Sequence, residues 1–167
     1  SEPTKIYPGF INLVKDIDGN SLVLFNYIEK HGEPLYDLIN SIIDPERKLF
    51  FVHGGTDVED REEVRQITET ESNAIIVASY GTFSTGINIK RLHNIIFASP
   101  SKSRIRNLQS IGRVLRKGEG KDMAILYDIA DDIGGQNYTL RHLNERVNIY
   151  NDENFKYEVI KVNLRAN

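Results

Sequence analysis

Asn73-Ala-Ile-Ile-Val-Ala-Ser79 runs directly into Tyr80-Gly81-Thr82-Phe83-Ser84-Thr85-Gly86-Ile87-Asn88. The first part is almost continuously apolar, not alternating, which is the pattern of a strand covered on both faces of a sheet. From Ser79 to Asn88 there are two glycines and four serines or threonines. Such a loop leaves backbone amides and hydroxyls available to phosphate oxygens, and Asn88 can meet a sugar hydroxyl. A doubly covered strand feeding a loop of this kind is a unit of parallel α/β architecture.

Read outward from that unit, the chain repeats the theme. Ser21–Asn26, Lys48–His53, Asn94–Ser99 and Asp122–Asp128 are further short apolar runs with the same continuous character. Helical periodicity lies between them. From Pro34 to Ile43 the apolar residues Leu35, Leu38, Ile39 and Ile42 follow the i, i+3, i+4, i+7 spacing of one helix face. Asp57–Thr68 opens on a capping residue, Asp57, with acids in the first turn and Val64 and Ile67 directed inward. Ser103–Lys117 is a third helix, stopped by Gly118. This alternation predicts a three-layer α/β domain: a parallel sheet with helices on both faces and its function gathered at the carboxyl ends of the strands. After Gly134-Gly135 a polar helix, Thr139 to about Tyr150, and an alternating edge strand, Phe155–Val162, form a separate appendage.

The 167 residues suffice for one domain with a core, and 40% apolar with 27% charged residues excludes disorder. Without cysteine there are neither disulfides nor thiolate metal sites, which suits an intracellular protein. No stretch has the length and apolarity of a membrane span. Ser1-Glu2-Pro3-Thr4 reads as a domain boundary. The net charge is −3, yet Gly86–Lys121 holds nine of the 21 Lys and Arg residues and one of the 24 acids. One basic region on an acidic body can meet the phosphates of a nucleotide or of a nucleic-acid backbone.

A self-sufficient phosphate-binding loop is absent. The only Gly-Lys pair, Gly120-Lys121, precedes Asp122, and Leu115 stands where the motif needs its first glycine. Ala124–Asp128 imitates the magnesium-holding strand of P-loop enzymes, but without the loop Asp128 reads as an acid ending a strand. His31, His53, His93 and His142 form no ligand-spaced pair, so no metal site is expected. The strongest chemical signal is Gln109-Ser-Ile-Gly112-Arg113-Val-Leu-Arg116. On a helix, Gln109, Arg113 and Arg116 share one face at i, i+4, i+7, while Leu108, Ile111 and Leu115 share another. Two guanidinium groups and an amide presented together suit a transferring phosphoryl group.

These segments together resemble the second RecA-like domain of superfamily 2 helicases and translocases. Ser21–Tyr27 is similar to motif IV, Ser79–Asn88 to motif V and Gln109–Arg116 to motif VI, and Phe51-Val-His-Gly54 with Arg61 resembles the loop and helix between them. Within the family the chain is most similar to phage UvsW-type branch-migration helicases, through Ile76–Ile87, Ile111–Lys117 and the ending Arg146–Asn163. The resemblance implies an ATP site shared between two domains. The amino-terminal RecA-like domain would hold the phosphates and Mg2+; this chain would supply Arg113 and Arg116 as catalytic arginines, with Gln109, Gly86 and Asn88 at the nucleotide. Ser79, Gly81 and Thr82, with Gly54 and Gly55, would grip the phosphates of a DNA strand. Two departures bear on this: Asn88 stands where many relatives have Asp, and motif VI opens with Gln109, not His, as in DNA translocases. The expectation is the carboxyl-terminal motor domain of an ATP-dependent helicase acting on branched or single-stranded DNA, monomeric, and in the host cytoplasm if phage-encoded. The expected divisions are a boundary segment over 1–20, the RecA-like domain over 21–135 and an extension over 136–167. The rival reading is a non-catalytic module whose basic region docks nucleic acid or a partner.

Overall fold

A computed structural model describes residues 13–85, 92–98 and 125–128. Five strands form one sheet: β1 (Ser21–Phe25), β2 (Leu49–Val52), β3 (Ile75–Ser79), β4 (Asn94–Phe97) and β5 (Ile125–Asp128), in the order β2-β3-β1-β4-β5. Every pairing is parallel. All five expected runs contain a strand, and the strand ends fall within two residues of the expected ones wherever both are described. β1 and β3 are buried along their full length, which explains why they carry no alternation.

Two helices are described, α1 (Glu33–Ile42) and α2 (Val58–Thr70). β1 to β2 steps toward one side of the sheet and β2 to β3 steps back. Right-handed crossovers therefore set α1 and α2 on opposite faces. On the α1 face, Leu35 and Ile39 close over Val23, Phe25, Ile75, Val77 and Ile96. On the other face Leu22, Leu24, Ile76, Ala78 and Ile95 are wholly buried. A π-helical turn, Ile28–Gly32, precedes α1 and is not visible in the periodicity. Asp57 occupies the N-cap of α2 but makes no side-chain capping bond; the Arg61 amide donates to the Asp57 carbonyl at 3.0 Å. The helices expected at Ser103–Lys117 and Thr139–Tyr150 and the strand at Phe155–Val162 lie outside the described residues.

Residues 13–20 pack into this core. Val14 is fully buried beside α1, and a helical turn over 13–16 is closed by Arg47. The Arg47 guanidinium donates to the carbonyls of Val14 (3.3 Å), Lys15 (3.4 Å) and Ile17 (2.9 Å), and its Nε to that of Asn73 (2.8 Å). Burial lowers its pKa, partly offset by Asp18. At the amino-terminal edge of the sheet sits Asn20, fully buried. Its Nδ2 donates to the carbonyls of Thr68 (3.1 Å) and Glu71 (2.7 Å), and its Oδ1 accepts the Ala74 amide (2.8 Å). Its backbone carbonyl accepts the amides of His93 and Asn94, and its amide donates to His93 Nδ1 at 2.9 Å. One residue thus joins β1 to the end of α2 and to the entries of β3 and β4.

Asn20→Ala should lower unfolding free energy by about 3 kcal/mol, since it strands a buried amide and two carbonyls. Asn20→Asp should cost more at pH 8, because a carboxylate would face two carbonyl oxygens. Burial there raises the carboxyl pKa above its unfolded value of about 3.9, so the deficit relative to wild type shrinks as pH falls toward that value. Urea titrations of both variants at pH 5 and pH 8 measure this. A deficit for Asn20→Asp that is equal at the two pH values would contradict the geometry.

Candidate functional site: the carboxyl edge of the sheet

The register brings the carboxyl ends of five strands to one edge. Val52, Ala78, Leu24, Phe97 and Asp128 form a single row of rungs across the strands. With strands ~4.8 Å apart, the row spans roughly 19 Å. Along it, the turn at His53 lies next to the loop at Ser79, which lies next to the exit of β1 at Asn26-Tyr27, followed by Ala98 and the end of β5. Residues separated by dozens of positions in sequence are neighbours here because all the pairings are parallel and in step.

The turn after β2 is fixed by its own polar groups. The His53 amide donates to Thr56 Oγ1 (3.0 Å), the Thr56 amide to the His53 carbonyl (3.0 Å), and the Gly55 amide to His53 Nδ1 (3.0 Å). Gly54 and Gly55 are exposed, and a Cβ on Gly54 would meet no atom within 4 Å. After β3 the chain coils into a 3-10 helix, Tyr80–Thr85. The Ser79 and Thr82 hydroxyls bond to each other at 2.6 Å and both residues are buried, Thr82 completely. Gly81 is exposed and, like Gly54, has open space in front of its Cα. Of the expected phosphate-gripping residues, Gly54, Gly55 and Gly81 therefore face solvent on adjacent loops, whereas the hydroxyls of Ser79 and Thr82 are turned to each other. Gly86, Asn88, Gln109, Arg113 and Arg116 lie outside the described residues.

Between the Ser79 loop and β4, Tyr27 leaves β1 at the same edge. Its carbonyl accepts the amides of His31 (2.9 Å) and Gly32 (3.0 Å), and its amide donates to His31 Nδ1 (3.2 Å). Burial, with Lys30 adding to it, lowers the His31 pKa from 6.5, so the ring is neutral at physiological pH and can accept that bond. Phe25 stacks on Phe51 (5.5 Å, 16°), and Phe51 meets Tyr36 and His53 edge-on, each at 5.5 Å. This aromatic chain ties the exits of β1 and β2 together. The sequence gives no periodic signal for it, because the rings belong to three separate elements. Among the described residues no three His, Asp or Glu side chains converge on a point.

Residues 7–118 match the family model of the helicase conserved C-terminal domain. The chain is 39% identical over 160 residues to the ATP-dependent DNA helicase uvsW of Enterobacteria phage T4, in an alignment covering 88% of this chain and 31% of that protein. It thus spans about a third of the length of that curated relative. The crystal structure of T4 UvsW matches with a TM-score of 0.72 at 38% identity, over 92% of this chain and 34% of that one. Domain 2 of the Mss116p DEAD-box helicase, solved on an RNA duplex, matches with a TM-score of 0.62 over 95% of this chain and 61% of that one; at 12% identity this is a likeness of fold alone.

The buried hydroxyl pair makes a testable claim about the Ser79 loop. In a double-mutant cycle, Ser79→Ala and Thr82→Val should show a coupling of about 1 kcal/mol in unfolding free energy, the double variant being less destabilised than the two singles added together. Strictly additive losses would mean that the two hydroxyls do not hold the turn.

Proposed function

From the premise that this chain belongs to the helicase conserved C-terminal domain family, we propose that it is the second RecA-like half of an ATP-dependent DNA motor that works on branched or single-stranded DNA. The observation that carries the reading is the 39% identity over 160 residues to a phage DNA helicase. The family match over 7–118 spans both Ser79–Asn88 and Gln109–Arg116. In this reading an amino-terminal RecA-like domain holds the ATP phosphates and Mg2+. The present chain meets the nucleotide with Gln109, Gly86 and Asn88, and brings Arg113 and Arg116 to the γ-phosphoryl group.

The chemistry of that contribution is electrostatic. Charge spreads over the equatorial oxygens of the transferring phosphoryl group, and a guanidinium fork meets two of them without giving up its proton. Such a contact is strongest in the transition state, so it acts on turnover and not on ground-state affinity. Domain closure around ATP engages the arginines, hydrolysis releases them, and the cycle is coupled to the strand through the carboxyl edge. There the exposed backbone at Gly54, Gly55 and Gly81, with the turn that Ser79 and Thr82 hold, grips phosphates of one strand. Phosphate contacts fix position without reading sequence.

In the protein that joins this chain to its P-loop domain, Arg113→Ala or Arg116→Ala should reduce ATP turnover by ~10³- to 10⁵-fold. DNA affinity should stay within about twofold, since one phosphate contact is a small part of the total. Lys at either position should restore little, because the fork is lost. Loss of DNA binding with turnover spared would instead favour a docking module. The 167-residue chain alone should bind DNA weakly and with a steep inverse dependence on salt, and should show no DNA-stimulated ATP turnover.

A further inference from the structure

Two large apolar side chains stand well exposed among the described residues, Tyr27 at 58% and Val58 at 71%. Val58 opens α2 between Asp57 and Glu59, in acidic company that repels nucleic acid. Tyr27 stands elsewhere. It follows Phe25 by two positions, and Phe25 is paired with Ser79, so Tyr27 emerges at the carboxyl edge beside the Ser79–Thr85 loop. The Lys30 ammonium lies 5.9 Å from its ring centroid, and the His31 ring 5.5 Å away at 39°. An isolated exposed tyrosine is ordinary. A tyrosine with a cation and a second flat ring, on the edge that carries the solvent-facing glycines, is a different arrangement.

The backbone under the ring is also set in advance. The Tyr27 carbonyl holds two amides and its own amide holds His31. Gly32 closes the turn so tightly on Phe25 that a Cβ would stand 2.5 Å from the ring carbons. A flat side chain on a fixed backbone loses little freedom when a partner settles on it. Glu29 is exposed on the same turn and limits the local positive charge, so the ring, more than the charge, is what this turn offers a ligand.

We propose that Tyr27 is a stacking platform for a nucleobase of a single strand crossing the carboxyl edge, with Lys30 beside it to meet a flanking phosphate. The proposal rests on the motor reading above and adds to it a grip on bases where that reading has only a grip on phosphates. A base inside a duplex is already stacked and paired, so the platform selects single strands. Stacking on an aromatic ring is tolerant of sequence and changes affinity by roughly tenfold or more per base.

The test uses the 167-residue chain, a single-stranded DNA 12-mer with one 2-aminopurine, and the same backbone with abasic sites throughout, at low salt. Wild type should bind the base-bearing strand about tenfold more tightly than the abasic one and quench the 2-aminopurine. Tyr27→Ala should bind both strands at the abasic level, and Tyr27→Phe should behave as wild type. All three proteins should melt at closely similar temperatures, since the side chain is mostly exposed. Equal affinity of Tyr27→Ala and wild type for the base-bearing strand overturns the platform. If wild type binds both strands equally, the platform falls while the motor reading stands; if it binds neither, both fall. Millimolar ATP that displaced the strand from wild type but not from Tyr27→Ala would assign the ring to the adenine of a nucleotide and overturn the proposal as well.

Discussion

The hydrogen bonds of Asn20 are the constraint on which the rest of the sheet depends. A carboxamide has two donors and an acceptor, and here each is used: the last turn of α2 and the residue after it take the donors, and the entry of β3 takes the acceptor. The backbone carbonyl of the same residue receives the start of β4. Because a fully buried amide must satisfy all its groups at once, none of these elements can slip without stranding a polar atom. The lock sits at the amino-terminal edge, but its consequence appears at the other end. A register fixed at the entry of each strand also fixes the level at which each strand ends, and so aligns Val52, Ala78, Leu24, Phe97 and Asp128 in one row.

The two edges therefore divide the work. At the entry edge, Asn20, Arg47 and Gly19 make dense local contacts; Gly19 adopts φ +99°, and a Cβ there would stand 2.8 Å from His93. At the exit edge the backbone turns outward, with exposed glycines and an exposed tyrosine. Polar groups buried at one edge are satisfied by protein partners, because leaving them unpaired there would be costly, while the loops at the other edge keep backbone exposed to solvent. The buried Ser79–Thr82 pair is the exception, and it is informative. It shows that a loop rich in hydroxyls need not offer them all to solvent; some hold the loop in shape so that its backbone can do so.

Much of this was legible in the sequence. The five strands could be read because each is apolar on both faces, and a short continuous apolar run between helical segments has few other uses in a domain of this size. The face of α1 could be read from Leu35, Leu38, Ile39 and Ile42. What escaped was whatever depends on contacts between distant residues. Asn20 looks like a turn residue until its partners at Thr68, Glu71, Ala74 and His93 are in place. At the π-helical turn Ile28–Gly32, Gly32 lies so close to the Phe25 ring that a Cβ would not fit, which no periodicity reports. Asp57 has the residue type of a cap but makes no capping bond. At the exit edge, Gly54, Gly55 and Gly81 could be singled out as loop glycines, but only the register shows that their loops are neighbours.

The strand order also governs how this chain comes together as it is made. Of the five described strands β1 comes before the others in sequence and is central in the sheet, yet it does not pair with β2, the next strand along the chain. Its partners are β3 and β4, with Ser21 opposite Ile75 and Asn94. At ~5–20 residues per second, Ser-Leu-Val-Leu-Phe waits roughly 3 to 15 seconds for those partners to emerge. During that interval a five-residue apolar strand with two unpaired edges is available to any other chain. A domain built around such a strand gains a buried centre once β3 and β4 have both paired with it, and until residue 97 has cleared the ribosome its yield depends on how well the nascent chain is sheltered.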